Sequence, residues 1–150
     1  CEECPIASSC LARKSGRQTE LPVKPGKKER RIEQRTVLVL EWQGKIAVRK
    51  RSSRGLLANM WEFPSFDGYL SENQVCGMIC GESARPVRIR QLHDGRHIFS
   101  HVEWHMKAYE ITLKDSVPQH IVPDLLWIKK EELENRYAVP VAFHCFLRQL

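Results

Sequence analysis

Residues 55–82, GLLANMWEFPSFDGYLSENQVCGMICGE, decide how the chain is read. Ser71-Glu72-Asn73-Gln74 is a capping box. The serine hydroxyl can accept from the backbone three residues on, and the glutamine side chain can accept from the serine N–H. A helix is therefore expected from this point to a stop at Gly81. Ahead of it, Trp61-Glu62-Phe63-Pro64 reads as a strand end, with its aromatic residues in the core and proline closing the pairing. Between Phe63 and Gly81 the only acids are Asp67 and Glu72, and Glu82 falls beyond the expected helix end.

Working outward, Thr36–Glu41 and Lys45–Lys50 are β-branched runs either side of Trp42-Gln43-Gly44, the pattern of a hairpin. VRIRQLHD (87–94) and HIFSHVEWHMKAYEITLK (97–114) are strand-like. LLWI is a short strand, KKEELEN a short helix, and PVAFHCFLRQL a last helix with Pro140 in its first turn. Strands on both sides of one central helix, with a second helix at the C-terminus, predict an α+β fold: a mixed sheet flanked by helices. Upstream, RKSGRQTELPVKPGKKERRIEQR (13–35) is polar, basic and broken by Pro and Gly, as an extended connector would be. The expected division is a cysteine loop at 1–12, a basic connector at 13–35 and one domain at 36–150.

The chain has 150 residues, 42% hydrophobic and 28% charged, which fits one folded domain with a tail rather than a disordered segment. No apolar run is long enough to span a bilayer and no leader pattern opens the chain, so no membrane association is expected. The net charge of +6 is concentrated at Lys24–Arg31, Arg49–Arg54, and Arg85, Arg88, Arg90 and Arg96. Such patches fit either a nucleic-acid partner, through phosphate contacts, or an ordinary solvated face. Cys76, Cys80 and Cys145 sit in apolar, helix-like settings and read as core. The cysteine distribution predicts a reducing, intracellular (cytoplasmic) compartment rather than a disulfide framework.

Cys1, Cys4 and Cys10 are spaced C-x2-C-x5-C. Thiolates so spaced can belong to an iron–sulfur site, which takes four of them, or to zinc with one further Cys or His, or the spacing can be incidental. In residues 97–108, strict alternation puts Ile98, Val102, Trp104, Met106 and Ala108 on one face, with His97, Phe99, His101, Glu103, His105 and Lys107 on the other. A bend near Ser100 would place Phe99, Ser100 and His101 at a tip. An aromatic ring beside a hydroxyl and an imidazole can stack on bases and read a base edge; the alternative is a buried Phe99 flanked by two solvated histidines.

The segment from Gly55 to Glu82 resembles the core of the Nudix fold, without the acids of an active Nudix hydrolase. Together with the cysteine spacing, the Phe99-Ser100-His101 triplet and the ending WIKKEELENRYAVPVAFHCFL, it is similar to the C-terminal part of MutY-type adenine DNA glycosylases. In that family the iron–sulfur loop reads C-x6-C-x2-C-x5-C. The resemblance makes Cys1, Cys4 and Cys10 three of four ligands of a 4Fe–4S cluster. The fourth is expected upstream, so the cluster would be absent or incomplete here. It implies base-excision repair of adenine mispaired with 8-oxoguanine, with the catalytic residues in an upstream glycosylase domain and this chain itself non-catalytic. It assigns Phe99 as a wedge, Ser100 as reader of the lesion's base edge and His101 as a supporting contact to double-stranded DNA. The connector would lie against DNA or the upstream domain. Two other readings stand beside it: a Nudix-type nucleotide pyrophosphatase and a zinc-bound interaction module.

Overall fold

A computed structural model describes residues 1–23, 26, 29–79, 86–114 and 122–150, apart from the side chain of Glu134. The expected helix stop at Gly81, Cys80 as core, Glu82, Arg85 and four residues of the first basic patch (24, 25, 27 and 28) lie outside these residues.

The strands are β1 (Arg31–Trp42), β2 (Lys45–Lys50), β3 (Trp61–Glu62), β4 (Ser65–Asp67), β5 (Pro86–Gln91), β6 (Gly95–Ile98), β7 (Val102–Leu113) and β8 (Leu126–Lys129). The helices are α1 (Leu11–Lys14), α2 (Glu72–Ile79), α3 (Lys130–Asn135) and α4 (His144–Leu147), the last entered through a 3₁₀ turn at Val141–Phe143. The strands form one mixed sheet in the order β3-β2-β1-β7-β5, with β4 added to β1, β6 to β7 and β8 to β2. β1 and β2 are the expected hairpin, closed by Gln43 and Gly44, both at positive φ, as a two-residue turn of twisted strands requires.

The centre of the sheet is the parallel pair β1 and β7, in unbroken register from Arg31 against Val102 to Trp42 against Leu113. Because both faces of this pair are covered, Val37-Leu38-Val39-Leu40 is a continuous buried run rather than an alternating one. One face packs Val37, Val39, Trp104, Met106 and Ala108 against Leu133 of α3 and Phe143 and Phe146 of the C-terminal turns. The other packs Leu38, Leu40, Tyr109 and Ile111 against Val75 and Ile79 of α2.

The capping box forms as expected: the Ser71 N–H donates to Gln74 Oε1 at 2.8 Å and the Gln74 N–H to Ser71 Oγ at 3.3 Å. Buried Thr36 fixes where the helix begins, its hydroxyl donating to Gly68 O and accepting from the Leu70 N–H, each at 2.8 Å. Trp61-Glu62-Phe63-Pro64 ends a strand and enters the core, Phe63 being fully buried.

β1 begins at Arg31, so the last residues of the expected connector are strand. Their polar composition hides this, since Glu33 and Arg35 are accommodated by an ion pair and by the Trp104 indole rather than by apolar burial. Cys76 and Cys145 are half-buried rather than sealed in the core. Burial pushes the Cys145 thiol up from its ordinary range.

Candidate functional site

The triplet Phe99-Ser100-His101 stands where β6 turns into β7. His97 pairs with Trp104 and Ile98 with Glu103, and the Phe99 N–H donates to Val102 O at 2.8 Å. Ser100 and His101 are therefore the two residues at the tip, and both are exposed. Their side chains touch, Ser100 Oγ lying 3.2 Å from His101 Nδ1.

A two-residue turn reverses the parity of the incoming strand relative to the outgoing one, and strict alternation through the bend fails for this reason. Val102, Trp104, Met106 and Ala108 do share the buried face. Ile98, expected with them, is instead 49% exposed and lies beside Glu103. His97 and Phe99 cross to the Trp104 side. The Phe99 ring is half-buried, edge-on to Trp104 with centroids 4.9 Å apart and to His97 at 4.6 Å.

Two further features hold the tip. The strand entry clamps it, once by a side chain and once by backbone: Arg30 Nε donates to Phe99 O at 3.1 Å and the Arg31 N–H to His101 O at 3.2 Å. At the base of β6, Gly95 lets the hairpin approach the C-terminal helix. A Cβ there would stand 2.7 Å from Phe146 Cζ and 2.9 Å from Cys145 Sγ.

On the outer face, Arg96 Nε donates to Glu103 Oε1 at 2.6 Å, and His105 Nε2 lies 2.5 Å from the same oxygen. The Arg96 hydrogen bond, then that of His105, lowers the Glu103 carboxyl to about 2 against an ordinary 4.5. A carboxyl depressed by folding contributes stability that is complete above its unfolded pKa and is lost as pH falls through the folded one. Stability is thus expected to decline between about pH 4.5 and pH 2, and less steeply in Glu103→Gln. Acid titration followed by circular dichroism on both proteins checks this; equal slopes would remove Glu103 from the account.

A second polar cluster lies behind Trp104, and sequence reasoning missed it. Arg35 and Arg51 place their guanidinium carbons 4.3 and 5.5 Å from the Trp104 ring centroid. Glu62, 2% exposed, receives Arg49 Nε at 3.0 Å and pairs with Arg51. Glu33 receives Arg31, Arg35 and Trp104 Nε1. Burial raises its carboxyl, but these hydrogen bonds outweigh burial and the net shift is downward. The run Arg49–Arg54 was visible as charge, but nothing in the sequence shows that Glu62 and Arg35 come to meet it.

The N-terminal cysteines are not brought together in this way. Cys1 and Cys4 are exposed and Cys10 is half-buried, in a chain of tight turns that leads into α1. Among the described residues no three His, Cys, Asp or Glu side chains group to hold a metal ion. The three thiols present are not by themselves arranged as a cluster site. On α2 the acid is Glu72, in the first turn. Among the described residues no helix is long and apolar enough to cross a membrane.

The NUDIX domain family model matches residues 36–149. The chain belongs to that family. Among curated proteins, this NUDIX domain chain is 30% identical over 125 residues to the adenine DNA glycosylase of Homo sapiens, covering 76% of the chain and 23% of the relative. It is 28% identical over 146 residues to the adenine DNA glycosylase of Mus musculus, covering 90% and 28%. The chain thus spans about a quarter of the length of the curated relatives it matches. Among solved structures, the C-terminal domain of mouse MUTYH, crystallised with human PCNA, matches with TM-score 0.59 and 25% identity over 81% of this chain and 90% of that one. The MutT NUDIX hydrolase of Burkholderia pseudomallei matches with TM-score 0.59 and 21% identity, over 80% and 98%, a likeness of fold. A NUDIX sheet with one acid on its α2 helix, similar to parts of adenine DNA glycosylases, corresponds to the resemblance read from the sequence.

Proposed function

We propose that this chain is the lesion-recognition part of an adenine DNA glycosylase acting in base-excision repair, and that it is not itself catalytic. Two kinds of observation support the reading: the similarity to adenine DNA glycosylases over most of the chain, and a clamped hairpin whose tip offers Ser100 and His101 to solvent. The tip is the observation that carries it. Glycosylase chemistry would belong to residues of the longer protein, and this domain would read the base opposite the adenine in double-stranded DNA.

The chemistry of 8-oxoguanine suits the tip. Oxidation at C8 turns guanine N7 from an acceptor into an N–H donor and adds a carbonyl. Ser100 Oγ can accept from that N–H, while His101, within hydrogen-bond reach of the same hydroxyl, orients it. Phe99, partly exposed beside the tip while its ring packs edge-on to Trp104, would supply the wedge at the duplex. In the longer protein, Cys1, Cys4 and Cys10 would contribute three thiolates to a 4Fe–4S cluster. An intracellular, DNA-associated location follows from the same reading.

The test is a competition titration at fixed salt between duplexes carrying 8-oxoguanine or guanine opposite adenine. The oxidised duplex is expected to win, and Ser100→Ala to reduce the discrimination by about 1–3 kcal/mol while leaving the binding of undamaged duplex nearly unchanged. Equal affinity of the unmodified chain for the two duplexes would overturn the assignment of the tip. Mg²⁺-dependent turnover of a nucleoside triphosphate would restore the pyrophosphatase reading instead.

A further inference from the structure

Arg30 stands just before β1 and reaches across to the hairpin tip, 69 residues away in the chain, where its Nε donates to Phe99 O at 3.1 Å. It is exposed, and among the described residues this carbonyl is its one polar contact. The carbonyl belongs to the peptide plane that joins Phe99 to Ser100. A trans peptide is rigid, so holding the oxygen also sets the direction of the Ser100 N–H and limits where the Ser100 side chain can point. The planes before Phe99 and after His101 are held by backbone: the Phe99 N–H donates to Val102 O at 2.8 Å, and His101 O accepts from the Arg31 N–H at 3.2 Å. Only the plane leading into Ser100 is held by a side chain, and a substitution can release it. Releasing it should cost the fold little, because a change at an exposed position away from the core rarely moves stability far.

We propose, resting on the lesion-reading role given to the tip, that Arg30 is a positioning residue which acts through the Phe99 carbonyl on the orientation of Ser100. A hydroxyl tells one base edge from another only when it meets that edge at hydrogen-bonding distance and angle, and the bond weakens steeply with misalignment. Each side chain at the tip has its own support. The Phe99 ring packs on Trp104, and Ser100 Oγ lies against the His101 imidazole. The backbone between ring and hydroxyl has Arg30. The Nε–H of a planar guanidinium points in one direction, which suits it to fix a carbonyl in place. Arg30 needs no contact with the duplex to do this. The residue that brings the chain into the sheet therefore sets how sharply the tip discriminates.

Two substitutions separate the donor from the charge. In Arg30→Gln the amide nitrogen stands as many bonds from Cα as Nε does, so an N–H donor is kept and the charge is lost. In Arg30→Met a methyl group takes that place, and both are lost. Arg30→Met is expected to lose about ten-fold in its preference for the 8-oxoguanine duplex over the guanine duplex, the weight of one misplaced hydrogen bond, with an unchanged urea midpoint. Arg30→Gln should keep most of that preference. Any loss of affinity common to both duplexes should be the same in the two variants, since both lack the charge. A second readout needs no DNA: ¹⁵N relaxation at the Ser100 and His101 amides should show added fast motion in Arg30→Met and little in Arg30→Gln. If the parent chain does not prefer the oxidised duplex, the reading of the tip falls, and the relaxation result alone decides whether Arg30 holds it. If the parent prefers that duplex and Arg30→Met does so equally, the positioning role falls and the reading stands. Equal loss of preference in Arg30→Met and Arg30→Gln would also overturn it, assigning the effect to the charge of the arginine.

Discussion

Trp104→Ala is expected to lower the unfolding free energy by about 3–5 kcal/mol, the range for removing a large buried aromatic side chain. Trp104 is fully buried. It touches Phe99 on one side, Phe143 at 6.1 Å on another and the Arg35 and Arg51 guanidiniums on a third, while its Nε1 donates to Glu33 at 2.9 Å. Truncation would empty the volume, remove the cation–π support and leave Glu33 one donor short. Urea unfolding should show a lower midpoint with an unchanged slope. Trp104→Phe should recover part of the loss, because it keeps an aromatic ring in the volume while giving up the second ring and its N–H. A loss below about 1 kcal/mol in the alanine variant would contradict the central place given to this ring.

Glu62→Ala should cost a comparable amount through a different route. Its carboxylate, with the side chain 3% exposed, is the acceptor for both Arg49 and Arg51, whose side chains are 28% and 17% exposed. Removing one member of a buried pair strands the other charge, typically at about 3–5 kcal/mol. Arg49 and Arg51 keep some contact with water, so the lower end, about 3 kcal/mol, is expected. Glu62→Gln retains shape and part of the hydrogen bonding and should lose less. Because the pair is shielded from solvent, the effect should persist when salt is raised, unlike that of a surface ion pair. Chemical denaturation at two salt concentrations measures both points; full rescue by salt would show that the contact is open to solvent.

Much of the fold could be read in advance because the local signals agreed with one another. The capping box at Ser71 and the Gln43-Gly44 turn between β-branched runs each carried a local physical cause. What failed was parity through the 97–108 hairpin. Alternation predicts faces only within one strand, and a two-residue turn resets it, so Ile98 and Phe99 exchanged places. The start of β1 was also hidden. Residues Arg31–Arg35 look like connector because Glu33 pairs with Arg31 and Arg35 of its own strand and takes the Trp104 indole N–H from β7, and that last contact is one no local pattern announces. The polar cluster behind Trp104 was invisible for the same reason. Arg49 and Arg51 were seen as part of a charged run, whereas Arg35 and Glu62 arrive from other strands.

The parallel pairing at the centre of the sheet has a kinetic consequence. Trp104 and Glu33, neighbours across β1 and β7, are 71 residues apart in the chain. The β1–β2 and β6–β7 hairpins can each zip from their own short turns, but the parallel ladder must wait for a large loop to close, at an entropic cost that no local contact repays. The hairpin that carries Ser100 and His101 can therefore form early as a local element. It acquires its fixed orientation only when β1 docks along β7 and Arg30 and Arg31 close over the tip. Formation of the tip as a secondary-structure element and its assembly into a rigid surface are thus two events in time, and the second is set by the slowest contact in the fold.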